Sequence, residues 1–113
     1  MKWLWLAIAA AFSLPAAALS PQAQEFMKIS EALEPVQCEK RQLRRAIVLA
    51  EVERRSADAA RLRSRFAELD RDPQTAKLEK RLAELEPILS RSPDPEDLRA
   101  IDRQRVEAFY RCG

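Results

Sequence analysis

From position 19 onward, apolar residues recur in steps of three and four between charged ones, which is the spacing of helices rather than strands. In LSPQAQEFMKISEALE, Phe26, Ile29 and Leu33 share one face, Ser20 stands at a capping position and Pro21 at a first helical position. Glu34 precedes Pro35, and the residue before a proline is pushed out of helical backbone geometry. The pattern therefore predicts a short N-terminal helix with a break or bend at Pro35. Between Val36 and Arg71 no Pro or Gly intervenes, which predicts one long helix. At 1.5 Å per residue it would be about 50 Å long. Its apolar stripe changes side. Leu43, Ile47 and Ala50 lie together, whereas Ala59, Leu62, Phe66 and Leu69 lie about 100° around the cylinder, so the two ends face different neighbours.

Asp72 and Pro73 cap and open a third helix with Leu78, Leu82, Leu85 and Leu89 inward. The stretch SRSPDPED breaks it. Asp94 and Pro95 start a fourth helix, whose acidic Glu96 and Asp97 suit a positive helix start. Leu98, Ile101, Phe109 and Cys112 fall near one face of it, with Ala108 beside them. Coiled-coil-like spacing holds over short stretches and then shifts phase.

The cysteines turn this list of helices into a fold. Cys38 and Cys112 are the only two, and Cys112 is the penultimate residue. A disulfide requires Cα atoms within about 7 Å. From Cys38 to Asp70 is 32 residues and from Pro73 to Cys112 is 39, so the arms match if the third and fourth helices form one bent arm. The expected fold is all-α: a long helix packed antiparallel against a broken two-helix arm, preceded by a short N-terminal helix, and closed by one disulfide. Intermolecular pairing and free thiols are the alternatives to that bond.

Composition supports the class and narrows the chemistry. A single Gly and abundant Ala, Leu, Glu and Arg favour helix throughout. Residues 1–18 read MKWLWLAIAAAFSLPAAA: one Lys, a short apolar run and an A-x-A site. This is the order of a cleavable signal peptide, with cleavage after Ala18, and the run is short for a membrane span of roughly 20 apolar residues. The expectation is periplasmic or secreted localisation, with residues 19–113 as one small helical domain. Oxidising conditions outside the cytoplasm suit the disulfide.

With no His and one Gly, the chain offers neither the commonest general base and metal ligand nor a glycine-rich phosphate loop. Neither a catalytic residue nor a metal or cofactor site is predicted. The formal net charge of +2 is near neutral, which with export argues against nucleic-acid binding. One run stands out. In KRQLRR, Lys40, Arg41, Arg44 and Arg45 have no acid among them, and Arg103, Arg105 and Arg111 are expected toward the same end of the clasped hairpin. The leading expectation is a non-catalytic exported binding or accessory protein of the envelope, presenting helix faces to a protein partner. The alternative is a peripheral binder of anionic envelope surfaces, phospholipid or lipopolysaccharide phosphates, through a basic tip formed by those four residues. Monomer and dimer both remain open.

Overall fold

The computed structural model describes residues 19–91 and 94–113, and the expected signal peptide lies outside them. They form four helices: α1 (Pro21–Val52), α2 (Ser56–Arg71), α3 (Pro73–Arg91) and α4 (Pro95–Cys112). The all-helical class, the helix count and the Cys38–Cys112 disulfide agree with the sequence reading. Two of the helix boundaries and the order of the arms do not.

α1 does not break at Pro35. It continues for 32 residues with the proline inside it. Proline removes one intrahelical hydrogen bond and crowds the preceding turn, but Pro35 is exposed, and α4 grips α1 on both sides of it. The Arg111 guanidinium donates to both Glu34 carboxylate oxygens at 2.7 and 3.0 Å, and Cys38 is bonded to Cys112.

The break falls instead at residues 53–55, inside the stretch expected to be one long helix. There the Arg55 N–H donates to the Ala50 carbonyl at 2.8 Å and the Arg54 N–H to that of Glu51 at 3.1 Å. These two bonds make a Schellman ending, whose left-handed position glycine usually occupies. Here it is Arg54, at φ 58°. The change of stripe between Ala50 and Ala59 was the trace of this turn, and the missing glycine hid it.

α2 runs back along α1, with Arg63 meeting Glu51 near the turn and Lys40 meeting Asp70 near the end of α2. Only Asp72 separates α2 from α3. Its backbone is extended, and its carboxylate accepts from the Thr75 N–H and hydroxyl, both at 2.9 Å. A one-residue cap-and-restart of this kind does not reverse the chain, so α3 continues down α1: Lys40 meets Glu79 and Arg81 meets Glu25. The arm antiparallel to α1 is thus α2 followed by α3. α4 is not its continuation. It turns back after α3 and runs parallel to α1.

The α1–α4 register is regular. The Ser20 hydroxyl donates to Asp97 at 2.6 Å, Gln104 Nε2 donates to the Met27 carbonyl at 2.7 Å and Arg111 meets Glu34, each pair 77 residues apart. Contacts repeat every seventh residue of both helices, the spacing of a parallel coiled-coil pair. α4 consequently buries a mixed stripe in which Asp97 and Ile101 are fully enclosed, while Leu98 and Phe109, expected inward, face solvent. Asp97 also accepts the Ser20 N–H at 2.9 Å, which satisfies its buried carboxylate.

The core is confined to the lower half of α1. Ala23, Phe26, Ile29 and Leu33 pack with Leu85 of α3 and Ile101 of α4. Above Cys38, α1 has α2 beside it, and the only apolar residues the two bury are Leu43, Ala50, Ala59 and Leu69. The protein is a three-helix base carrying a two-helix projection, and the disulfide sits at the eighteenth of the 32 residues of α1, where base and projection meet, rather than at a tip.

Two outcomes follow from this geometry. A left-handed non-glycine residue costs about 1–2 kcal/mol, so Arg54→Gly should raise the urea-unfolding free energy by about 1 kcal/mol, while Arg54→Ala should not. The disulfide closes a loop of 74 residues, for which the chain-entropy relation gives about 4 kcal/mol. The double variant Cys38→Ser/Cys112→Ser should lose stability on that scale, with amide exchange rising first in the last turns of α4.

Candidate functional site

The four residues expected to form one basic surface are separated by the fold. Lys40 is buried, 7 % exposed, at the seam where α2 hands over to α3. Its ammonium bonds Asp70 at the end of α2 and lies 3.3 Å from Glu79 on α3, with the Phe66 ring 5.5 Å below. The hydrogen bond it donates to Asp70 first, then that to Glu79, holds its pKa above the ordinary 10.5 against the opposing effect of burial. Lys40 is therefore an internal tie between three helices and is corrected as a surface-contact residue. Arg41 is half-buried, its guanidinium 5.1 Å from the Phe109 ring. Arg44 is exposed and lies 5.2 Å from the Phe66 ring. Arg45 is exposed beside Val48, Leu49 and Val52.

The other basic residues expected nearby are also divided. Arg111 is bound to Glu34, and Arg105 lies 5.8 Å from the Phe26 ring. The clasped end of α4 is not a basic tip: Arg111 is paired with Glu34 and Arg105 lies against the Phe26 ring, which leaves Arg103 exposed without an acid within ion-pair distance among the described residues.

A different surface emerges at the free end of the α1–α2 projection. Val48, Leu49 and Val52 are 59, 53 and 74 % exposed. They fall outside the Leu43–Ile47–Ala50 stripe that α1 turns toward α2, and among the described residues they remain exposed, Val48 at the edge of a shallow groove shared with Arg63 and Phe66 of α2. Residues 44–63 carry six arginines against three acids. The acids are already engaged: Glu51 with Arg63, Glu53 with Arg55 at 2.8 Å, and Asp58 with Arg55 and Arg61 at 2.9 and 3.4 Å. An apolar patch edged by a cationic excess is left at the apex. The sequence signal was the run IVLAEV, which is too apolar for a helix with one neighbour.

The forks that fasten the helices are likewise invisible to local pairing rules. Arg65 grips Glu39 at 2.7 and 3.1 Å, Arg81 grips Glu25 at 2.6 and 2.9 Å, and Arg111 grips Glu34. Each ties one of α2, α3 and α4 to α1. Arginine suits this role because its planar fork matches a carboxylate bidentately. By contrast, the i, i+4 pair Glu107–Arg111 is present only at 3.9 Å, and Glu51 pairs with Arg63 of α2 rather than with Arg55 four residues on.

No protein-family model matches the chain, and no curated protein or solved structure is similar to it. Among the described residues no helix is long and apolar enough to cross a membrane, and no group of three or more His, Cys, Asp or Glu is placed to hold a metal ion.

The forks set an acid limit. Hydrogen bonds from Arg81 and Arg111 hold Glu25 and Glu34 below the usual 4.5, and the Thr75 N–H, followed by its hydroxyl, holds Asp72 below 3.8. A carboxylate with a lowered folded-state pKa contributes fully above its ordinary value and loses that contribution as pH falls through the lowered one. Stability measured by urea unfolding should be flat between pH 5 and 8, where these groups are ionised in both states, and should decline below about 4.5. Arg81→Gln should flatten the acid limb, and added salt should shrink it.

Proposed function

We propose that this protein is an exported, non-catalytic binding module that uses the apex of its α1–α2 projection to dock on an acidic surface of an envelope protein. The single observation that carries the reading is the exposed Val48–Leu49–Val52 patch edged by arginines. Apolar residues grouped at one end of a small protein mark a contact surface more often than residues scattered singly do. Arginine at the rim steers an acidic partner and sets orientation, and three apolar anchors supply the desolvated centre. Export is supported by the residue order at 1–18 and is compatible with the disulfide. The non-catalytic reading is supported by the absence of His from the sequence and by the engagement of Glu34, whose carboxylate Arg111 keeps ionised.

The charge distribution also favours a second reading, contact with phospholipid or lipopolysaccharide phosphates. Arg44, Arg45 and Arg54 have no acid of their own within ion-pair distance among the described residues, and a cationic rim around an apolar apex suits an anionic bilayer surface. This surface would be centred on the apex rather than on Lys40.

A photo-crosslinking residue at position 48, compared with one at Lys28 on the base, separates the readings in envelope extracts. Position 48 should give one discrete protein adduct that disappears with Leu49→Asp and weakens with Arg45→Glu, while position 28 should give none. Equal labelling at both positions would overturn the docking surface. Flotation with vesicles containing about one-third anionic lipid, weakening as salt rises, would transfer the apex to the second reading.

A further inference from the structure

The apex patch stands on a seam of α1 that already holds a helix lower down. α4 meets Ser20 at the cap of α1, then Met27 and Glu34, each seven residues on, and reaches Cys38 through the disulfide. Its cover ends at Arg41, whose guanidinium lies 5.1 Å from the Phe109 ring, and at Gln42, whose Nε2 donates to the Cys112 carbonyl at 3.5 Å. Val48 is seven residues beyond Arg41, Leu49 seven beyond Gln42, and Val52 fourteen beyond Cys38. A helix in a coiled-coil pair returns to the same face every seven residues. Each exposed apolar residue of the apex therefore repeats, one or two heptads on, a residue of α1 that α4 covers.

α4 fills only the lower part of this seam, and there the contacts are polar, from Asp97, Gln104 and Arg111. The upper part offers three aliphatic side chains instead. Arg44 and Arg45 stand at its lower edge, both exposed and with no carboxylate within ion-pair distance among the described residues. From Arg45 to Val52 the seam runs eight residues. That is about 12 Å, room for about two helical turns. A second copy of this surface would set arginines against arginines, and like charges facing each other across an interface oppose it. An acidic helix has the complementary charge.

We infer that the apex receives an acidic amphipathic helix of another protein, laid in the α4 seam, parallel to α1 and end-on to Cys112; this rests on the docking reading above. Apolar residues at heptad spacing on that helix cover Val48, Leu49 and Val52, and acids in its first turn meet Arg44 and Arg45. Acids at that place also suit the positive start of the incoming helix. By fixing where α4 stops, the disulfide fixes where the incoming helix begins.

The probe is a two-heptad peptide with Leu at a and d and Glu at e and g, held helical by lactam bridges on its far face and spin-labelled at one end. Its glutamates keep it from pairing with itself. Added to the disulfide-intact protein, it should bind saturably at one peptide per chain, and a scrambled peptide of the same composition should not. A label at its N-terminus should broaden the amide signals of Arg45 and Cys112, and a label at its C-terminus those of Val52 and the 53–55 turn. Leu49→Asp should abolish binding, Arg45→Glu should weaken it about tenfold, and Lys28→Glu on the base should leave it unchanged. Absence of saturable binding, equal binding of the scrambled peptide, survival of binding in Leu49→Asp, or broadening in the reverse order would overturn the inference. So would a homodimer adduct from the photo-crosslinking residue at position 48 in the purified protein. The docking reading fails separately, when the peptide binds in the seam but position 48 gives no adduct in envelope extracts.

Discussion

Everything in this fold depends on α1 remaining one helix across Pro35. α2, α3 and α4 all pack on it, so a bend there would separate the projection from the base. An internal proline costs a helix about 3 kcal/mol or more. Opposing that is a disulfide three residues beyond the proline, for which the loop-entropy relation gives about 4 kcal/mol. The Glu34–Arg111 fork one residue before it is exposed, and pairs of that kind are screened by solvent. By magnitude, the covalent clasp is the contact that offsets the proline, and the fork sets orientation.

The clasp also explains why the final helix can carry so little apolar surface. α4 buries Ile101 fully, and its remaining enclosed stripe includes Asp97 and Gln104, which hydrogen-bond α1 rather than pack against it. A helix with this few apolar contacts would fray in isolation, since short helices in water draw most of their stability from an amphipathic face. Tying its last turn to the middle of α1 makes the Ser20–Asp97, Met27–Gln104 and Glu34–Arg111 contacts simultaneous. Their seven-residue repeat then resists sliding, because a shift of one residue would break all three.

What was legible in the sequence was what local chemistry determines. Ser20, Asp72 and Asp94 were readable as caps because a side-chain oxygen beside a helix start has one evident use, and the prolines at 21, 73 and 95 marked the same starts. The disulfide was readable because a chain with only two cysteines and no histidine leaves that pair few other fates. The turn at 53–55 was hidden because Arg54 occupies a position that glycine usually announces. The continuity through Pro35 was hidden because tertiary contacts from 77 and 74 residues away override a local preference. Lys40 shows the same limit for sites. Within KRQLRR it is one cation among four, and only the junction of α2 and α3 reveals Asp70 and Glu79 waiting for it.

The arginines show how folding converts a nearly neutral chain into a polarised one. Arg65, Arg81 and Arg111 are consumed in forks that join helices, and each removes a glutamate of α1 from the free surface. Glu25, Glu34 and Glu39 all lie in the lower two-thirds of α1, so the base and the middle of the molecule are internally neutralised. Above Leu43, α1 and the turn that ends it supply acids only at Glu51 and Glu53, too few for the arginines that the α1–α2 turn brings together. The cationic excess of the apex is thus a by-product of where the forks are placed. It coincides with the segment where α1 has a single helical neighbour and leaves Val48, Leu49 and Val52 uncovered. Charge and apolar exposure gather at the same end for the same reason: the helices that would have matched both are anchored at the other.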